Sequence, residues 1–187
     1  MHTHRFVVAS LAAALLAAPL AVSAHGHNGR PGAATTAVGE TIVAKAAALP
    51  DFTTLVAAVR AAGLADTLNG AGPFTVFAPS NAAFDRLPAG TVDALVQPRN
   101  RAQLSRILTY HVVPGRLQAS DVVNAVRAGG GSASFTTVAG VKLTARYNRH
   151  GQLVLIDATG KQSRIAATDI NQSNGVIHVI DRVVMPG

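Results

Sequence analysis

The chain has 187 residues, 16 Lys plus Arg against 9 Asp plus Glu, and 49% apolar residues of which few are aromatic. This length allows one domain with an appendage, and the high apolar content with only 13% charged residues excludes a disordered chain. The absence of cysteine excludes disulfides, thiol nucleophiles and metal sites built on thiolates. A globular body that is held by packing alone is expected.

Residues 1–24 have the pattern of a secretory signal peptide. Arg5 gives a short basic start, residues 6–22 form an Ala/Leu/Val run, and the last three positions to Ala24 are small. We predict cleavage after Ala24. An uncleaved anchor is the alternative, but a serine and a proline interrupt the run and no stop-transfer flank follows. The mature protein is expected to be secreted, extracellular or periplasmic, and not membrane-spanning.

Residues 25–39 are Gly, Ala, Thr, Asn and Pro without apolar periodicity, which predicts a flexible linker before a domain at 40–187. Cleavage after Ala24 would leave His25-Gly26-His27 at the amino terminus. A free amine, two amide nitrogens and the His27 imidazole then suit square-planar Cu(II) or Ni(II). The alternative is a solvated start, and no other cofactor is expected.

Helical patterns dominate the first half of the domain. Asp51 is a predicted N-cap and Gly63 a predicted C-terminal stop for a helix with one apolar face of Phe52, Leu55, Val56 and Val59. A second helix should begin near Asn100, capped by that side chain with Gln103 reaching back, and bury Leu104, Ile107, Leu108 and His111. Ser80 and Thr91 are predicted N-caps of short helices, and one more helix should start near Ser120-Asp121.

Strand patterns dominate the second half. Residues 141–148 alternate between apolar and polar side chains, and further strands are expected at 152–156, 163–170 and 176–184, with another upstream at 74–78. Because helices cluster first and strands second, the sequence predicts an α+β domain with a mainly antiparallel sheet.

Three ordered segments resemble the fasciclin (FAS1, beta-Ig-H3) family. Residues 72–84 (GPFTVFAPSNAAF) are similar to its first signature, residues 108–115 (LTYHVVPG) to its Tyr-His segment, and residues 174–186 (NGVIHVIDRVVMP) to its second signature. The resemblance implies a short secreted bacterial form with a wedge-shaped β-sandwich flanked by several short helices, and roles in adhesion or the extracellular matrix. The signature positions are Phe74, Phe77, Pro79, Ser80, Asn81, Phe84, Asn174, Gly175, His178 and Asp181.

The resemblance also implies partner-binding candidates. A Tyr-His pair and an Asp-Ile dipeptide are recognition elements in animal members, and Tyr110-His111 and Asp169-Ile170 match them here. Core packing is the competing interpretation for Tyr110, His111 and Ile170.

The signatures carry their own physical expectations. The Ser80 hydroxyl should cap the helix that follows the first strand. His178 and Asp181 each stand among aliphatic residues, so we expect both to be buried with hydrogen-bond partners. A contact of Asp181 with the Ser80-Asn81 turn would join the two signatures.

Catalysis is disfavoured, because the sequence has no nucleophile elbow, no His-Glu-x-x-His and no paired carboxylates. Without residues 1–24 the net charge falls from +7 to +6, and the densest basic groups are Arg99, Arg101 and Arg106, then Arg146, Arg149 and His150. Each could meet an acidic polysaccharide or cell surface, or be a solvated face.

We therefore predict a monomeric, non-enzymatic module that binds a cell-surface or matrix protein or polysaccharide, and no nucleic acid. The alternative is an exported carrier with an apolar ligand in a crevice, or with Cu or Ni at its tail. A pocket of several hundred cubic ångströms lined by Leu, Val and Phe would favour the carrier; a filled core with an exposed apolar patch would favour adhesion.

Overall fold

The computed structural model describes residues 39–187, which form seven α-helices, two 3₁₀ turns (Pro50–Phe52 and Pro98–Asn100) and seven strands. The helices are α1 (Ile42–Ala48), α2 (Thr53–Ala62), α3 (Ala65–Leu68), α4 (Asn81–Asp85), α5 (Thr91–Leu95), α6 (Arg101–Tyr110) and α7 (Ala119–Ala128). The strands are β1 (Phe74–Pro79), β2 (Val112–Pro114), β3 (Ser132–Thr136), β4 (Lys142–Tyr147), β5 (Leu153–Ile156), β6 (Gln162–Gln172) and β7 (Gly175–Ile180).

All seven strands belong to one hydrogen-bonded order, β2-β1-β7-β6-β5-β4-β3. Every neighbouring pair is antiparallel except β1 and β7, which run parallel with Phe77 opposite His178. The first and second signatures therefore lie side by side. This confirms the predicted α+β class, the mainly antiparallel sheet and the short flanking helices.

Strand β6 connects the two halves of the sheet. Its first residues pair with β5, and the stretch from Ile165 to Gln172 pairs with β7 through two register shifts. These irregularities bend the strand. Asp169, at the second shift, has a left-handed backbone with φ of 60°.

The buried side chains form two clusters. The first lies among α1, α2, α6 and strand β1 and includes Phe52, Leu55, Leu104, Ile107 and Leu108. The second lies beneath α7 and the β4–β5 pair and includes Phe77, Tyr110, Val126, Leu143 and Leu155. The predicted apolar faces are thus confirmed, with the exception that Val56 is only half-buried.

Several helices are capped by residues other than the predicted ones. Gly63 ends α2 with φ of 72°, as expected. Asp51 does not cap it, because the chain first makes the turn at 50–52 and the side-chain Oδ1 of Asn81 accepts from the Thr54 N–H instead. The Asn100 side chain donates to the Ala94 carbonyl and so does not cap α6.

Two further short helices begin without the predicted side-chain caps. Gly90, and not Thr91, occupies the N-cap position of α5. Ser80 is the N-cap residue of α4, but its hydroxyl makes no capping bond. Helix α7 starts at Ala119, where the Asp121 carboxylate accepts from the Gln118 N–H at 2.9 Å.

The predicted strands are confirmed as β1, β4, β5, β6 and β7, whereas β2 and β3 were not predicted. The final strand stops at Ile180, earlier than expected, and residues 181–187 continue without a strand. Within residues 39–187 no single helix is long and apolar enough to cross a bilayer; α1 and the helical stretch Pro50–Ala62 qualify only together, and a bend of 110° separates them. The predicted signal peptide and nearly all of the linker lie outside the described residues.

Candidate functional site

His111 follows α6 and is buried between the two clusters, with 2% exposure. Its Nε2 accepts from the Val184 N–H at 3.1 Å, so Nδ1 carries the proton and donates to the Ile107 carbonyl at 2.8 Å. Burial lowers the pKa of His111 to about 4, although the Ile107 hydrogen bond and the Asp157 charge oppose this. The imidazole is therefore neutral near pH 7 and holds the carboxyl-terminal segment by one hydrogen bond.

Tyr110 is fully buried beside it. The phenol donates to the Lys142 carbonyl at 2.9 Å and accepts from the Ala158 N–H at 3.0 Å. Burial raises the pKa of the phenol, the Ala158 hydrogen bond opposes the rise, and the Asp157 charge adds to it. Tyr110 and His111, the first pair of partner-binding candidates, thus offer no surface to a partner in this structure.

His178 on β7 is the second buried histidine. Its Nδ1 accepts from the Asp169 N–H at 3.3 Å, which leaves Nε2 to donate to the Leu117 carbonyl at 2.8 Å. The ring stacks on Phe77 with centroids 5.5 Å apart. The expected hydrogen-bonded burial of His178 is confirmed.

Asp169 and Ile170, the second pair of candidates, are half-buried on the bent part of β6. The Asp169 carboxylate accepts from the Ala119 N–H at 2.7 Å, at the first turn of α7. Ile170 packs against the first cluster. Both side chains therefore have contacts within the domain.

Polar residues of the signatures tie distant segments together. Asn81 contacts the start of α2, where its Nδ2 donates to the Pro50 carbonyl at 2.9 Å. Asn174 accepts from the Ile42 N–H at 3.0 Å and donates to the Leu68 and Gly70 carbonyls at 2.7 and 3.0 Å. The apolar signature residues Phe77, Pro79 and Phe84 are buried and Phe74 is half-buried.

Asp181 is half-buried rather than buried, and its carboxylate is paired with Arg86 at 3.0 Å and Arg164 at 2.9 Å. Burial disfavours its charge, but hydrogen bonds from Arg164 and Arg86 outweigh burial and lower the pKa of Asp181. The predicted contact of this carboxylate with the Ser80-Asn81 turn is wrong. The two signatures are joined there by backbone, because the Ser80 N–H donates to the Ile180 carbonyl at 3.3 Å.

Within the described residues no metal cluster is found, and the crevice lined by aliphatic side chains is small; a larger cleft of about 670 Å³ has the charged residues Arg106 and Lys161 in its lining. No group of three or more His, Cys, Asp or Glu side chains there could hold a metal, and His25 and His27 lie outside that range. The apolar crevice between α1, α2 and β1 has a volume of about 30 Å³. That space suits a water molecule or a methyl group and not a carried ligand.

The outward surface of strands β3 to β6 is polar and basic. Strand register places Ser132, Ser134, Thr136, Lys142, Thr144, Arg146, Val154, Ile156, Gln162 and Arg164 on this side, which we call the cationic sheet face. Arg149 and His150 extend it at the β4–β5 turn. Arg146 and Arg149 were predicted as a basic group; Lys142 and Arg164 join them only through register.

A family model described as the fasciclin domain matches residues 50–186. The chain belongs to the fasciclin family. This fasciclin chain is 46% identical over 153 residues to Protein sll1483 of Synechocystis, covering 82% of the chain and 77% of that protein. It is 34% identical to the Immunogenic protein MPB70 of Mycobacterium bovis, covering 73% and 64%, and 32% identical to the Cell surface glycolipoprotein MPB83 of the same species, covering 83% and 65%.

A solved structure shares the fold. The FAS1 domain pair of the insect cell adhesion molecule fasciclin I matches with a TM-score of 0.68 and 22% identity, over 78% of this chain and 50% of that chain. The fasciclin chain therefore spans just under two thirds of the two mycobacterial relatives and half of the insect pair. The names of these relatives are consistent with a cell-adhesion-like module.

Proposed function

We propose that this fasciclin domain is a secreted, non-enzymatic adhesion or interaction module that binds a cell surface, the extracellular matrix or a protein partner. One observation carries the proposal: the polar groups that could serve chemistry are occupied by structural hydrogen bonds. His111, His178 and Tyr110 each use both polar positions on backbone atoms. Within residues 39–187 no buried side-chain nitrogen or oxygen lacks a partner.

The geometric requirements of catalysis support the same proposal. A catalytic base must be within reach of a substrate proton, and a nucleophile must be beside it. His111 and His178 face backbone groups inside the domain, and neither has a hydroxyl among its hydrogen-bond partners. Binding through the outer surface is what the described part of the chain offers.

Secretion is supported by two independent observations. Residues 1–24 have the composition of a signal peptide. MPB83, a 32% identical relative, is named a cell surface glycolipoprotein. We propose an extracellular or periplasmic monomer, and light scattering of the purified protein would measure its mass directly.

Adhesion can be measured with protein-coated beads. Beads coated with the purified chain are mixed with cell-envelope and matrix fractions, washed, and compared with beads whose protein has been unfolded by heat. The heated beads keep the same composition and charge, so the comparison isolates the fold. We expect retention on native beads only. Equal retention on both, or retention on neither, would contradict the proposed function.

A further inference from the structure

The cationic sheet face carries three cations, Lys142, Arg146 and Arg149, that have no salt-bridge partner within the described residues. Residues 122–156, which include β3, β4 and β5, contain no Asp or Glu. Among the described residues the salt bridges involve neither Lys142, Arg146 nor Arg149, whereas Arg164 is paired with Asp181. Screening at physiological salt acts over about 8 Å, so three unpaired cations on one sheet present a local positive field.

The positions of the cations form an array with hydroxyl groups between them. Lys142 and Arg146 are four residues apart on β4, which separates them by about 13 Å, with Thr144 between them. Arg164 is aligned with Arg146 two strands away, at roughly 10 Å. The Ser134 and Thr144 hydroxyls contact each other at 3.0 Å on the same face. An extended ligand would meet cations and hydroxyls alternately.

The chemistry of the face distinguishes among polyanions. Single-stranded nucleic acid binds grooves in which aromatic side chains stack on the bases. The alternation along β4 directs its one aromatic residue, Tyr147, to the opposite side of the strand; Tyr147 also lines the cleft beside Arg146 and Arg149, but one aromatic ring does not form a row on which successive bases stack. Insertion into a membrane interface needs exposed apolar side chains beside the cations. Here Val154, which lies between Arg146 and Arg164, is fully buried, and Ile156 is half-buried.

We propose that the cationic sheet face binds an acidic polysaccharide, with Lys142, Arg146 and Arg149 pairing with its carboxylates or sulfates and the Ser and Thr hydroxyls bonding to its sugar hydroxyls. Charge complementarity carries this assignment. It rests on the proposed function, because it names the partner of the same outer surface. The buried network around His111 and His178 takes no part in it.

The test compares two triple variants of equal charge. Lys142→Gln/Arg146→Gln/Arg149→Gln removes the cations of the face, and Arg60→Gln/Arg99→Gln/Arg106→Gln removes three exposed cations from the helical part of the domain. Binding to polygalacturonate is measured by calorimetry at 50 and 300 mM salt, with neutral dextran as the uncharged control. We expect the wild-type protein to bind polygalacturonate more weakly at high salt, and not to bind dextran.

The face variant should raise the Kd about tenfold, equivalent to about 1.4 kcal/mol, while the helical variant stays close to wild type. Equal weakening in both triple variants would overturn the proposal, because net charge alone would then explain binding. Tighter binding to vesicles containing phosphatidylglycerol, or to oligo-dT, would overturn it in favour of a membrane or nucleic acid.

Two further measurements keep the result interpretable. Thermal unfolding of every variant checks that the fold is intact. If the triple variant of the face does not fold, the single variant Arg146→Gln replaces it, with Arg146→Lys as the variant that keeps the charge. Lys at this position should restore most of the binding. Absence of polygalacturonate binding together with retention on the beads would remove this inference and leave the proposed function standing.

Discussion

Acid should destabilise this domain through His111. In the folded chain Nε2 must accept from the Val184 N–H, and protonation would turn that acceptor into a donor. Burial lowers the pKa of His111 from the ordinary 6.5 to about 4, against the opposing effects of the Ile107 hydrogen bond and the Asp157 charge. The unfolded chain therefore binds this proton more readily than the folded chain between these two values.

The sign and size follow from this difference. A lowered histidine pKa leaves stability complete above pH 6.5 and removes it progressively as the pH falls toward 4. At 1.36 kcal/mol per pKa unit, the free energy of unfolding should fall by roughly 2–3 kcal/mol between pH 7 and pH 4.5. This would be a large part of the stability of a domain of this size.

Urea unfolding at pH 7.0, 5.5 and 4.5 measures the effect. His111→Gln keeps an acceptor in place but does not titrate, so it should be less stable than wild type at pH 7 and lose less stability on acidification. His150→Gln, on the exposed β4–β5 turn, is the matched control and should keep the wild-type pH dependence. If His111→Gln and wild type lose the same free energy between pH 7 and 4.5, the role assigned to this histidine is refuted.

Three further substitutions test the polar and steric contacts of the signatures by urea unfolding at pH 7. Asn174→Asp places a carboxylate oxygen against the Leu68 and Gly70 carbonyls and should cost about 3 kcal/mol, with Asn174→Ala costing less; equal stability to wild type would contradict the contact. Gly175→Ala would drive its Cβ into the Phe74 carbonyl oxygen and should cost about 2 kcal/mol or more; an unchanged midpoint would show that β1 and β7 can separate freely. Asp169→Ala should cost about 2 kcal/mol through a lost cap and a left-handed backbone, and Asp169→Gly distinctly less; identical losses would show that φ is irrelevant.

Periodicity predicted the strands whose alternation is clear and missed those where it is weak. Strand β4 alternates buried Leu143 and Ala145 with exposed Lys142 and Arg146, which is readable from the sequence. Strand β2 has three residues, too few to show a period, and β3 reads SASFT, in which Phe135 is the one large apolar side chain. Both strands exist because neighbouring strands complete their hydrogen bonds.

The helix caps show why local rules fail at particular residues. Capping rules assume that a polar side chain bonds to the helix that follows it. At the start of α2 the predicted cap Asp51 is replaced by the side chain of Asn81, which lies 27 residues after Thr54, and the predicted cap Asn100 bonds back to the Ala94 carbonyl. A polar side chain that bonds to another segment cannot cap the adjacent helix. The spacing of residues in the sequence does not reveal such a bond.

The candidate site was predicted in part for the same reason. The resemblance identified Tyr110, His111 and His178 as important, but their partners are backbone atoms of Lys142, Val184 and Leu117. Backbone partners have no side-chain signature in a sequence. The sequence predicted only part of the cationic sheet face, because Arg146 and Arg149 are close in the chain. Arg164 is aligned with Arg146 by strand register alone.

The positions of the polar residues also determine how adhesion experiments on this domain must be interpreted. Tyr110 and His111 connect the end of α6 to the Lys142 and Val184 backbones, so their removal weakens contacts between distant segments. Loss of binding after such a substitution would follow from lost stability as readily as from lost contact. Exposed cations such as Arg146 have no structural partner among the described residues, so a change in binding there with an unchanged unfolding midpoint reports contact. If the outer face binds the partner as proposed, stability and recognition depend on different residues, and substitutions on that face separate them.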